Sequence, residues 1–371
     1  MNSIYTPYFH HLPYCVWYSK KDTIKVMPNE EESYLKGIYY IPSQFEVAFS
    51  ESWSINFPFE YFSNISEIII SGMGGSAFGG HIVKSVFANG KLLNAVDVIS
   101  DYNLPSYADE RTLVIATSYS GNTEETLSVF EQAVSRGCKV FVISSGGKLV
   151  EMAKSKKIPF YQFDSKKFNP SGAPRIGIGY IVGASVGVLS KLKLIDYSYD
   201  NSKVTHDYMS RFLEIMKKET KIPVQVSQKF LSRIPVFVCA EHLSSATHIW
   251  RNFLNETAKH IGFMYEIPNM NHHFLDGLIY PHDTRENILF VYIQSKLYND
   301  RNKKRMDITR DVTRKHGFND ISISVESGAV FNEVWELILI GCLVSYNLSK
   351  IHGVNPSSND FVDYLKEELE K

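Results

Sequence analysis

Residues 66–80 read SEIIISGMGGSAFGG. The isoleucine run is a short apolar stretch of strand length, and it ends in a glycine-rich turn that leads into a helical pattern. Glycines let a backbone approach an anion closely and take positive φ. The helix start that follows presents unpaired N–H groups and partial positive charge, and Ser76 adds a hydroxyl donor. A second segment repeats the device. Residues 112–117 (TLVIAT) are apolar and pass into TSYSGNTEETL at 117–127. There Ser118, Ser120 and Thr123 bring three hydroxyls together, Gly121 permits the tight turn, and Thr123 occupies a helix N-cap position. Two hydroxyl-rich turns at successive strand ends point to a bound phosphate. Neither turn holds the GxxxxGK[ST] lysine of a nucleotide P-loop, and the GxGxxG-like spacing of the first has its third glycine displaced, so a dinucleotide site is the weaker reading.

Working outward, the runs at 96–100 and 139–144 are further strands, with helices expected over 123–135, 147–154 and 179–189. Strands alternating with helices imply a parallel sheet covered on both faces. An amphipathic stretch at 205–220 leads to a second series. Its strands are expected at 236–240, 262–267, 288–293 and 320–325, and its helices at 242–255, 300–316, 330–349 and 360–370. The organisation is therefore an irregular extension over 1–35, a first α/β domain over 36–200 and a second over 201–371.

Composition sets the outer bounds. The chain has 371 residues, 44% hydrophobic and 21% charged, with formal net charge −1. That is a globular protein without the basic field that recruits nucleic acid or anionic membrane. The N-terminus lacks a basic start followed by an apolar run, and Val334–Leu348 is short and carries Glu336, so it reads as a buried helix rather than a membrane span. Cys15, Cys138, Cys239 and Cys342 are far apart and form no CxxC pair, as expected of reduced thiols in a cytoplasmic protein.

The segments GMGGS and SYSGNTEE resemble the sugar isomerase (SIS) domain. More narrowly, the chain from about Tyr34 onward resembles the bifunctional phosphoglucose/phosphomannose isomerases. The resemblance implies two SIS-type domains, a homodimer, no cofactor, and a substrate phosphate bound by Gly75, Ser76, Ser118, Ser120 and Thr123. WRNFLNETAK (250–259) resembles the family's Asn-Glu-Asn-Ala-Lys segment and places Glu256 on the catalytic base, with Thr257 where the family has Asn. PNMNHHFLDG (268–277) places His272 on the ring-opening histidine, which in the family comes from the other subunit; His273 and Phe274 replace the usual Asn-Glu. NPSGAPRIGIGY (169–180) places Arg175 on the enediolate-stabilising arginine, and NDFVDYLKEEL (359–369) places Lys366 on the lysine that assists ring opening.

These residue types suit the chemistry. A carboxylate can shuttle one proton between neighbouring carbons, and a guanidinium is always charged and planar, which suits a developing oxyanion. The adjacent His272 and His273 lack a supporting carboxylate cluster, so no metal is expected. The function implied is aldose–ketose isomerisation of glucose 6-phosphate, and of mannose 6-phosphate, with fructose 6-phosphate through a cis-enediolate. The alternatives are an isomerase or deaminase acting on an amino sugar phosphate, and a noncatalytic sugar-phosphate sensor.

Overall fold

The structure, a computed structural model, describes residues 28–87, 94–219, 221–369 and 371. Among the described residues two helices come first, α1 (Pro28–Tyr39) and α2 (Ile41–Ser54). The first sheet series follows as β1 (Glu67–Ser71), α3 (Phe78–Phe87), β2 (Ala95–Ile99), β3 (Thr112–Ser118), α4 (Glu124–Ser135), β4 (Lys139–Ser144), α5 (Gly147–Ser155), β5 (Phe160–Gln162) and α6 (Ile178–Lys191). The helices α7 (Tyr199–Lys218) and α8 (Lys221–Phe230) connect it to β6 (Ile234–Ala240), α9 (Ser244–Thr257), β7 (Phe263–Ile267), β8 (Ile288–Ser295), α10 (Asp300–Lys315), β9 (Asn319–Val325), α11 (Val330–His352) and α12 (Asp360–Leu369).

Both sheets are parallel, in the orders β2-β1-β3-β4-β5 and β7-β6-β8-β9. The core strands β1, β3 and β4 are apolar along nearly their whole length because helices cover both faces. Parallel strands place the turns after β1 and β3 at one end of the first sheet, where open α/β sheets bind ligands.

Residues 28–35, expected to be irregular, are instead the first turns of α1; the remainder of that stretch, with Cys15, lies outside the described residues. The reason is burial: Tyr34 and Ile38, one turn apart, are both fully buried. The helix α2 packs along α6 at unusually short range. A Cβ added at Gly179, Gly183 or Gly187 would come within 2.5 Å of Ile41 O, 2.4 Å of Phe45 O or 2.2 Å of Ser52 Oγ. This stripe of glycines every four residues is what lets the α2 backbone lie directly on α6.

The helix α11 is long and apolar enough to cross a membrane, but 83% of its apolar window is buried inside the molecule, in keeping with the expected core helix. Cys138, Cys239 and Cys342 are buried and unpaired in disulfides. Among the described residues no group of three or more His, Cys, Asp or Glu is placed to hold a metal ion.

Candidate active site

The two turns after β1 and β3 meet. The Tyr119 N–H donates to Ser76 Oγ at 2.9 Å, and the Thr117 hydroxyl lies 2.8 Å from Ser71 O and 2.6 Å from Ser76 O. Gly74 takes φ +51°, and Gly121 takes φ +74° with Gly146 O only 1.8 Å from where a Cβ would stand. Ser118 and Thr123 face each other, their hydroxyl oxygens 2.9 Å apart, and the Gly121 N–H donates to Ser118 Oγ at 3.0 Å. Thr123 sits at the N-cap of α4 as expected, but its hydroxyl turns back to Ser118 and makes no side-chain cap. The start of α4 thus keeps N–H groups that the Thr123 side chain does not take up, and a helix start of that kind favours an anion. Ser120 is exposed at the tip, its Oγ accepting from Asn122 N at 3.3 Å.

Arg175 joins this cradle to the second lobe. A 3-10 turn at Pro174–Gly177 brings its Cα to 3.3 Å from the position a Cβ on Gly75 would take. Its side chain is 2% exposed and is held on every side. Nε donates toward Tyr34 OH at 3.2 Å and Thr257 Oγ1 at 3.1 Å. Nη1 donates to Asn359 Oδ1 at 2.9 Å and to the Glu256 carboxylate at 3.4 Å, and Nη2 donates to the Pro356 carbonyl. A cation this deeply buried persists only with a countercharge and filled donors. Glu256, on the last turn of α9 and one-third exposed, supplies the countercharge and keeps a solvent-facing side.

Lys259, three residues on, had no role assigned from sequence. Its ammonium donates to the carbonyls of Glu256 and Ser358. Burial, then the nearby Arg175 charge, push its pKa down to about 8 against the opposing pull of Asp360, Glu256 and Asp363. Its positive charge is therefore present at neutral pH and lost as the pH rises through about 8. Tyr34, Pro356 and Asn359 complete the surroundings of Arg175; Asn359 opens the NDFVDYLKEEL segment but had no role assigned there, and no local sequence pattern announced Tyr34 or Pro356. Lys259 did have a signal, as the closing lysine of the NETAK segment.

His272 and Lys366 stand apart from this group within one chain. The α9 C-terminus returns to the N-terminal edge of the second sheet: Gly262 N donates to Asn255 Oδ1 at 3.0 Å, and a methyl on Gly262 would meet Leu254 and Pro235. His272 is exposed and lies beyond the opposite end of β7, five residues past Ile267. A five-residue strand spans about 17 Å, so Glu256 and His272 of the same chain sit at opposite ends of that sheet. Lys366 is 69% exposed and its ammonium lies 3.9 Å from Asp363. It rides on α12, which buries none of its residues and exposes Phe361, Tyr364, Leu365 and Leu369. A concavity of about 240 Å³ opens at the C-terminal ends of β8 and β9, bordered by Ser295, Lys296, Tyr298, Ser324 and Glu326; none of the candidate residues lines it.

This fold and cradle define a class. Residues 61–162 match the model of the SIS domain, and residues 201–369 match that of the bacterial phospho-glucose isomerase C-terminal SIS domain. A crystal structure of a hypothetical protein from Thermus thermophilus superposes with TM-score 0.71 over 92% of this chain and 94% of that one, at 14% identity. The molecule is therefore a double SIS-type α/β protein. A bifunctional phosphoglucose/phosphomannose isomerase of Caldicellulosiruptor bescii is 30% identical over 90% of this chain and 98% of its own length. A protein of the same description from Aquifex aeolicus is 29% identical over 82% of this chain and 90% of its own. The chain belongs to the bifunctional phosphoglucose/phosphomannose isomerase family.

Proposed function

We propose that this chain is a sugar-phosphate isomerase that interconverts glucose 6-phosphate and mannose 6-phosphate with fructose 6-phosphate. The observation that carries the reading is Arg175, whose backbone abuts the phosphate turn at Gly75 while its guanidinium faces Glu256. One residue thereby fixes the distance between an anion cradle and a carboxylate base. A phosphate held by Gly75, Ser76, Ser118, Ser120 and Thr123 anchors the sugar at one end. The open-chain C1–C2 region then reaches the base at the other.

In the proposed reaction Glu256 takes the proton from C2 of the aldose and returns it to C1, with Arg175 offsetting charge on the cis-enediolate oxygens. Glucose and mannose derivatives differ only at C2, so both pass through the same enediolate. No cofactor is required by this sequence of proton transfers.

The reading includes a homodimer. His272 opens the sugar ring and reaches Glu256 from a second copy, which its place at the far end of β7 supports. The uncovered apolar side chains of α12 support the same assembly, in which Lys366 assists ring opening. The test is a panel of glucose, mannose and glucosamine 6-phosphates with fructose 6-phosphate as readout, together with a mixing experiment. Glu256→Gln and His272→Ala homodimers are each expected to be inactive. After subunit exchange the mixed dimer is expected to recover activity, because one of its two sites carries both native residues. No turnover of glucose or mannose 6-phosphate sinks the reading, and no recovery on mixing sinks its dimer.

A further inference from the structure

Tyr34 and Thr257 lie 223 positions apart in the chain, yet their hydroxyl oxygens are 2.6 Å apart and both residues are fully buried. The single Nε hydrogen of Arg175 points between them, at 3.2 Å and 3.1 Å. Burial pushes the Tyr34 phenol up to about 12, so it keeps its proton at neutral pH and can donate to Thr257 while accepting from the guanidinium. Its ring is clamped: Arg175 Cζ lies 5.7 Å from its centre, and Tyr346 of α11 stacks on it at 6.2 Å with an interplanar angle of 9°. Thr257 is the next residue after Glu256 and the last of α9.

We propose that the Tyr34–Thr257 hydroxyl pair is the positioning device of the active site, setting the plane of the Arg175 guanidinium against Glu256. The inference rests on the isomerase reading above. A guanidinium is rigid and planar, so fixing Nε together with one Nη fixes the direction of the remaining donors. Two neutral acceptors do this without taking up the charge that Glu256 and an enediolate oxygen need. The pair also joins three elements, α1, α9 and the turn before α6, so the orientation does not depend on any one of them. Neither hydroxyl touches substrate; both act through Arg175.

The test uses the full chain with Tyr34→Phe, Thr257→Val, Thr257→Ser and the Tyr34→Phe/Thr257→Val double variant. The readouts are kcat, KM, calorimetric affinity for glucose 6-phosphate, and the melting temperature. Tyr34→Phe and Thr257→Val are expected to lower kcat on the order of 10–100-fold. The phosphate site is untouched, so KM and affinity are expected to stay within about threefold. Thr257→Ser keeps the hydroxyl and is expected to restore kcat. The double variant is expected to be little worse than the weaker of the single variants, since the pair acts as one unit. The inference is overturned if folded Tyr34→Phe and Thr257→Val turn over at the parental kcat. It is equally overturned if Thr257→Ser is as impaired as Thr257→Val. A parent protein that isomerises none of the sugar phosphates sinks the isomerase reading instead, and is recognised before any variant is compared.

Discussion

After β1 the chain passes through Gly74 at φ +51°; after β6 it passes through Glu241 at φ +50°. The two lobes share strand order and turn geometry at these points, yet fill the turns with opposite chemistry. In the first lobe glycine leaves space, Ser118 and Thr123 turn their hydroxyls toward each other, and no side chain caps α4. In the second, Glu241 accepts the strain of left-handed backbone, about 1–2 kcal/mol for a residue with a Cβ. Its carboxylate then collects the Asn299 N–H at 3.0 Å and the amides of Asn299 and Asn302, each at 2.7 Å. Ser295, the last residue of β8 as Ser118 is of β3, donates to the buried Glu333 carboxylate at 2.5 Å, which His242 also meets at 2.9 Å. One lobe thus leaves its helix start without a side-chain cap, and the other has closed the corresponding place with carboxylates of its own. On the function proposed above, duplicated architecture separates two tasks: anion binding in the first lobe, and the acid of Glu256 from the opposite edge of the second.

That division can be broken at three points. The largest effect is expected from Glu256→Gln, which keeps the shape beside Arg175 but removes the base. Turnover is expected to fall on the order of 10²–10⁴-fold with glucose 6-phosphate affinity largely retained; parental turnover would refute the assignment. The joint Ser118→Ala/Ser120→Ala substitution should do the reverse. A hydrogen bond to a charged group contributes about 1.5–3 kcal/mol, so KM is expected to rise roughly tenfold or more with kcat little altered. An unchanged KM in a folded variant places the phosphate elsewhere. The smallest effect is expected from Glu241→Ala in the second lobe. Removing the acceptor that holds the start of α10 costs about 1–3 kcal/mol, so the melting temperature should drop by several degrees while KM stays parental. A raised KM there would mean that both lobes bind the substrate.

The strand series was readable because parallel, doubly covered strands are nearly continuous apolar runs, and β1, β3, β4, β6 and β8 all have that form. What stays hidden in the sequence is either short or dependent on distant partners. The strand β5 is three residues long. The helix α2 follows from the glycines of α6, more than 130 residues downstream. In the site, motif-bearing residues such as Ser118 and Glu256 sit within recognisable local strings. Tyr34 has no such string, and its place beside Thr257 exists only once α1 has docked on the second lobe. The exposure of His272 and Lys366 was equally invisible, since position within a motif does not say which end of a strand a side chain will occupy.

The tie between Arg175 and the backbone of Pro356 and side chain of Asn359 has a consequence for how this molecule can be switched off. Both partners follow Gly353, where α11 ends, and neither belongs to a sheet. A protease that cuts there leaves both sheets and the turns after β1 and β3 whole, while the guanidinium loses two of its ties and keeps those to Tyr34, Thr257 and Glu256. Clipped molecules would still melt cooperatively yet turn over more slowly, so a thermal-shift screen would score impaired protein as healthy.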